Sequence, residues 1–235
     1  MKFDNKVVIV TGGSGAVGSV VVQKFASKGA RIFIADRVPP RDEDVKLLGK
    51  LNENVTFVKT DVLNEQSIKA LFAKAHSIGH VDVLVNVAGG FQFGPTVEDM
   101  DVSQWDALIE LNLKSAFLAI KNVIPIMKTQ NYGRIISIAA RSGLRGDPMV
   151  AHYSVSKGGI ILLSQSVAEE IKDFDITVNT VLPSIVDTPA NRVSMSDANY
   201  GKWVNPFDLA NVILFLASDD ARAISGASIP VYHKS

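Results

Sequence analysis

Tyr153 and Lys157 stand four residues apart in the stretch Tyr153-Ser-Val-Ser-Lys157. On a helix this spacing puts both side chains on one face. A free tyrosine titrates near pH ~10 and is a poor proton donor or acceptor at neutral pH. An ammonium group held beside it favours the phenolate and lowers that pKa. A tyrosine tuned in this way can give a proton to a carbonyl oxygen or take one from an alcohol. Such a transfer is half of a redox reaction, and the other half needs a hydride carrier.

The first forty residues offer a place for one. Thr11-Gly-Gly-Ser-Gly-Ala-Val-Gly18 follows the apolar run Val7-Val-Ile-Val10 and precedes a helical pattern from Ala16 to Ser27. Glycines between a strand and a helix let the backbone approach a pyrophosphate, and the helix N-terminus favours its charge. Thr11, Gly12, Ser14, Ala16, Val17 and Gly18 are therefore candidate cofactor contacts. Asp36 ends the next strand, Arg31-Ile-Phe-Ile-Ala35. A carboxylate there can accept bonds from the adenosine ribose hydroxyls and repel a 2′-phosphate, which favours NAD. Arg37 beside it points the other way, toward a 2′-phosphate and NADP. The bland alternatives are a tight loop and a solvated turn carboxylate.

The elements that must hold these groups alternate. Strands are expected at 55–58, 81–85, 134–138, 176–182 and 227–231, besides the first two. Helices are expected from Asn64 to Ala75, Ser103 to Lys128, Ala151 to Lys172 and over 206–217. Gly29 is expected to close the first helix. Pro125 is expected to bend or stop the long one. Pro230 suggests an edge strand. Residues 38–54 read as a charged loop with one short helix. This alternation predicts right-handed βαβ crossovers. The fold class is α/β: one doubly wound Rossmann-type domain over residues 1–235, with a seven-stranded, mostly parallel sheet and helices on both faces.

Composition narrows the partners. Among 235 residues, Lys+Arg and Asp+Glu both number 24, so no basic excess argues for nucleic acid or a membrane surface. With no cysteine, disulfides and thiol catalysis are excluded. The N-terminus lacks the apolar core of a signal peptide, and no apolar run is long enough to span a bilayer. The expectation is a cytoplasmic protein acting on a small molecule. His76 and His80 form the one i, i+4 histidine pair, but it straddles Gly79 and no metal is expected there.

Taken together, the glycine turn, Asp36 and the Tyr153/Lys157 pair resemble the short-chain dehydrogenase/reductase family over nearly the whole chain. The family's TGxxx[AG]xG reads as Thr11, Gly12, Ala16 and Gly18. Its adenine contact matches Asp61-Val62, and its NNAG matches Asn86-Val-Ala-Gly89, including Ala88. Its helix asparagine, which supports a proton-relay water, matches Asn112. Its PGxxxT matches Pro183 to Thr188, with Ser184 for glycine. The resemblance implies that the backbone near Val186 and the Thr188 hydroxyl hold the nicotinamide carboxamide. It implies that Lys157 also holds the nicotinamide ribose, that residues 188–205 form a lid, and that the long helices build a homodimer or homotetramer. Bland readings stay open for Asn112 (a packing bridge), Asp61 (a helix-start carboxylate) and Thr188 (the start of a loop).

One position departs. The family's serine, thirteen residues before the tyrosine, is here Ala140, which has no donor. Ser142 is the candidate substitute. Dihydropteridine reductases, a branch of the family, also lack that serine. Val87-Ala-Gly-Gly-Phe91 and the run from Val181 to Arg192, with Ser194, Met195 and Trp203, resemble theirs. The chemistry fits, because an imine-like pterin develops no carbonyl oxyanion. Three readings follow: NAD(P)-dependent hydride transfer to a small carbonyl, alcohol or imine-like compound; reduction of quinonoid dihydropterin; and non-catalytic NAD(H) binding. Phe91, Phe93, Met149, His152 and Trp203 are candidates to line a substrate cleft, and His152, on a different helix face from Tyr153, reads as structural or solvent-facing.

Overall fold

A computed structural model describes residues 1–234. Seven parallel strands form one sheet in the order β3-β2-β1-β4-β5-β6-β7. They are β1 (Val7–Thr11), β2 (Arg31–Asp36), β3 (Val55–Lys59), β4 (Val83–Asn86), β5 (Gly133–Ile138), β6 (Ile176–Pro183) and β7 (Ser228–Val231). The sheet is parallel throughout, where the sequence predicted mostly parallel. The helices are α1 (Ala16–Ala26), α2 (Asp42–Leu48), α3 (Glu65–His76), α4 (Val102–Leu108), α5 (Ser115–Gln130), α6 (Ala151–Glu170), α7 (Pro189–Ser194) and α8 (Pro206–Leu216).

Strand β1 shows why the sheet needs two covers. All five of its residues are buried, and successive side chains of a strand point to opposite faces. Val8 and Val10 pack with Val21, Phe25, Leu209 and Ile213 of α1 and α8. Val7 and Ile9 pack with Ile68, Leu71, Val123 and Met127 of α3 and α5. A layer of helices on each side is the consequence. Strand order reverses between β1 and β4, whose ends Thr11 and Asn86 pair in register. A crevice opens at such a reversal, beyond the carboxyl ends of the strands.

Several local expectations needed correction. The long helix is interrupted: Ile109–Lys114 forms a π-helical turn between α4 and α5, with Ser115 N–H reaching back five residues to Glu110 O. Pro125 does not stop α5, which runs to Gln130 and ends on Asn131 in the left-handed region at φ 48°. The C-cap of α1 is Ser27 rather than Gly29. Gly29 instead takes φ +89° two residues further on, where a side chain would collide with Asp4. Pro230 does lie on the edge strand β7. The polar stretch after β6 is ordered into α7 and a short turn at Tyr200–Lys202. No helix among the described residues is long and apolar enough to cross a membrane.

Candidate active site

The glycine turn, the ends of β2 and β3 and the loop after β4 enclose a cavity of ≈ 350 Å³. Its close walls depend on absent side chains. A Cβ on Gly12, at φ +66°, would lie 2.7 Å from Ala88 N, and one on Gly18 would overlap Gly12 O. Ala16, Val17 and Gly18 form one wall, Val62 and Arg37 another, and Ala88 and Gly89 a third. Thr11 lies beneath, with its hydroxyl accepting from Ala88 N–H at 3.3 Å and its carbonyl from Val87 N–H at 3.2 Å. It braces the β1 and β4 loops against each other.

Asp36 sits at the rim. Its carboxylate accepts from Ser14 N–H at 3.2 Å and from Arg37 N–H at 2.7 Å. The Ser14 hydroxyl donates to Val38 O at 2.9 Å. The acidic group is thus anchored to the glycine turn itself, and its position fits the ribose end of a dinucleotide. Asp61 is placed differently from its neighbours. Thr60 and Val62 line the cavity, whereas Asp61 is exposed and its carboxylate accepts from Leu63 N–H at 3.0 Å. The lining residues Ala35, Thr60 and Leu111 carry no motif and are recognisable only in three dimensions.

Tyr153 and Lys157 lie in the first two turns of α6 and share a face, as their spacing predicted. Lys157 Nζ donates to Ile138 O at 2.9 Å and stands 5.9 Å from the centroid of the Tyr153 ring. The electrostatics differ from the expected pairing. Burial pushes the Tyr153 hydroxyl up to about 12 and the Lys157 ammonium down to about 8. Desolvation disfavours the charged form of each and accounts for both shifts. Tyr153 is therefore an un-ionised phenol at neutral pH. Phe91 meets its ring edge-on, with centroids 4.9 Å apart.

Asn112 lies at the π-helical turn and is fully buried. Its Oδ1 accepts from Gly90 N–H at 2.8 Å, and its Nδ2 donates to Gly90 O at 3.1 Å and to Ser156 Oγ at 2.9 Å. π-Turns recur at functional sites, and this one aims an amide across the loop after β4. Both amide hydrogens are engaged, so the side chain itself holds structure. A Cβ on Gly89 would lie 2.8 Å from Asn112 Oδ1 and 3.3 Å from Lys157 Nζ, so loop, amide and ammonium converge.

Ala140 is buried two residues beyond the end of β5, and its side chain carries no donor. Ser142 is half-buried in the turn Arg141–Gly143, and Gly143 packs directly against the α6 backbone at Lys157. Asn86 Nδ2 donates to Ser137 Oγ at 3.1 Å, tying β4 to β5 below the site. Pro183 ends β6. Val186 bridges to Val204, and its carbonyl accepts from Asn191 Nδ2 at 2.8 Å. The Thr188 hydroxyl caps α7 by accepting from Asn191 N–H at 3.3 Å.

The aromatic candidates separate. Phe91 and Phe93 are exposed and in edge-on contact at 4.8 Å, beside Tyr153. Exposed Met149 is tied to their loop, because Gly94 N–H donates to its carbonyl at 2.8 Å. Trp203 is buried against Tyr200 instead. His152 is fully buried under Gly94 and Met100, so the solvent-facing alternative is excluded.

A family model described as short chain dehydrogenase matches residues 6–199. The chain belongs to the short-chain dehydrogenase/reductase family. This dehydrogenase is 32% identical to a 3-oxoacyl-[acyl-carrier-protein] reductase of Thermotoga maritima, covering 98% of each chain. It is 32% identical to a 7alpha-hydroxysteroid dehydrogenase of Bacteroides fragilis, over 98% of this chain and 94% of that one. A solved putative short-chain dehydrogenase/reductase from Burkholderia xenovorans superposes with a TM-score of 0.91 at 31% identity, covering 98% and 96%. The chain is thus an oxidoreductase of the family that uses nicotinamide dinucleotides.

Proposed function

We propose that this dehydrogenase transfers hydride between NAD(H) and a small carbonyl, alcohol or imine-like substrate. The observation that supports it is the placing of Lys157 between Tyr153 and Gly89, a wall of the cavity bearing Asp36. The bound nicotinamide supplies or accepts the hydride. Tyr153 gives its proton to the substrate oxygen or nitrogen in the reductive direction and takes it back in the oxidative one. Lys157 holds the nicotinamide ribose and provides charge close to the phenol. Asn112 fixes the loop beneath Lys157 and supports a relay water. Asp36 selects NAD over NADP, with Arg37 as the opposing influence. The Val186 backbone and the Thr188 hydroxyl hold the carboxamide. Residues 188–205 close over the substrate, and the assembly is a homodimer or homotetramer.

A second reading, reduction of quinonoid dihydropterin, is favoured by Ala140. An imine-like acceptor develops no oxyanion and needs no serine donor. One panel tests both readings: turnover of NADH with ketones, acyl thioesters, quinones and quinonoid dihydropterin. Ketone or thioester reduction supports the first, and pterin reduction alone supports the second. NADH binding without turnover of any class would leave a non-catalytic NAD(H)-binding protein.

A further inference from the structure

We infer that Ser156, the residue before Lys157, is a positioning residue that clamps the Asn112 amide and, through it, the Gly89–Gly90 backbone. Ser156 is completely buried. Its hydroxyl donates to Tyr153 O at 2.8 Å and accepts from Asn112 Nδ2 at 2.9 Å. A hydroxyl has one proton. With that proton on the Tyr153 carbonyl, only its acceptor side faces the amide, so Nδ2 must point at Ser156.

The other hydrogen of Nδ2 goes to Gly90 O at 3.1 Å, and Oδ1 takes Gly90 N–H at 2.8 Å. The amide therefore has one orientation with every contact satisfied. A flip would set Oδ1 against Gly90 O and a hydroxyl whose proton is taken, and Nδ2 against the Gly90 N–H. Three separate segments meet at this point: the π-helical turn, the loop after β4 and the second turn of α6. Gly89, one residue before the clamped pair of bonds, is packed beside Lys157 Nζ, and Phe91, one residue after, rests on the Tyr153 ring. Ser156 does not line the cavity. Its effect on catalysis passes through the loop it holds.

The catalytic consequence rests on the hydride-transfer reading, so the test carries two readouts. Amide hydrogen exchange at Gly90 reports the clamp without any substrate. In Ser156→Ala it should accelerate at least tenfold, while exchange in the fully buried strand β1 stays unchanged. Steady-state kinetics with NADH should show kcat reduced about tenfold and KM for NADH unchanged. Ser156→Cys keeps the side-chain volume with a poor acceptor and should behave alike, which covers failure of the alanine variant to fold. Unchanged Gly90 exchange in either folded variant overturns the clamp. Faster exchange with native kcat overturns the positioning role. If the native protein turns over none of the panel substrates, the hydride-transfer reading falls, and Gly90 exchange alone then decides whether the clamp stands.

Discussion

Lys157 Nζ gives a hydrogen bond to Ile138 O at 2.9 Å while standing 5.9 Å from the centre of the Tyr153 ring. The lysine is tied to the end of β5 by one neutral acceptor, with the tyrosine beyond direct bonding through its ring. Each group keeps the protonation state that burial dictates, a neutral phenol and a weakened ammonium. In the proposed reduction a phenol in this state would donate its proton, and a nearby positive charge would steady the phenolate left behind.

Removing the phenol proton should remove the chemistry and little else. Tyr153→Phe is expected to lower turnover at least ~100-fold, the usual size of a general acid–base contribution. NADH affinity, measured by fluorescence titration, should stay within a few-fold of native. Retained turnover would end the proposed role of Tyr153.

Cofactor choice should follow the Asp36 carboxylate, held by Ser14 and Arg37 N–H groups. Calorimetry should give tighter binding of NADH than of NADPH, and Asp36→Ser should narrow or reverse the gap. A native preference for NADPH would show that Arg37 governs the site.

Ala140→Ser restores a donor two residues beyond the end of β5. Ketone reduction should rise several-fold if the missing hydroxyl limits the reaction. Flat ketone activity together with efficient reduction of quinonoid dihydropterin would favour the pterin reading.

The buried lysine should leave a signature in stability. Its folded-state value of about 8 lies below the 10.5 of a lysine in water. Between those two pH values the unfolded chain binds more protons, so this group makes stability rise with pH there and lowers it as pH falls through 8. Lys157→Met lacks the effect. The stability difference between the two proteins should move by about 2 kcal/mol in favour of native between pH 7.5 and 9.5. Urea unfolding at both pH values measures it, and parallel curves would mean that the ammonium is hydrated in the fold. Carbonyl reduction, followed as kcat/KM, should also decline above pH ~8, where the free enzyme loses this charge.

Gly89→Ala tests the packing beneath the lysine. Its Cβ would press on Asn112 Oδ1 at 2.8 Å and Lys157 Nζ at 3.3 Å. Turnover should fall at least tenfold, with NADH binding weakened less. Native kinetics would show that the loop has room to yield.

Much of the frame was legible because it is local. A fully apolar run such as Val7–Val10 reads as a strand covered on both sides, and Asn64 and Asn205 stand before their helices as caps. Tyr153 and Lys157 needed only the helical period. What escaped depends on residues distant in sequence. The turn at Asn112 exists where Gly90 and Ser156 meet its amide, twenty-two and forty-four positions away. His152 is polar and beside a catalytic candidate, yet Gly94 and Met100 bury it. Spacing reports proximity but not dehydration, so the expected lowering of the Tyr153 pKa gives way to a rise on burial. Asp61 was read as a ligand contact, and its bond to Leu63 N–H also makes it part of the start of α3.

The segment between Val186 and Val204 closes on its own base. Those two residues bridge, with Val204 N–H on Ile185 O and Asp187 N–H on Val204 O, while Arg192 pairs with Asp187 inside the enclosed stretch. A stretch held at its base, with one further bond from Lys234 N–H to Lys202 O at 3.3 Å, can lengthen, shorten or change composition at small entropic cost to the rest. Here it amounts to an interchangeable cassette: under the proposed lid role, grafting residues 189–203 of a relative, with Val186 and Thr188 kept, should change what the molecule accepts while leaving the sheet intact.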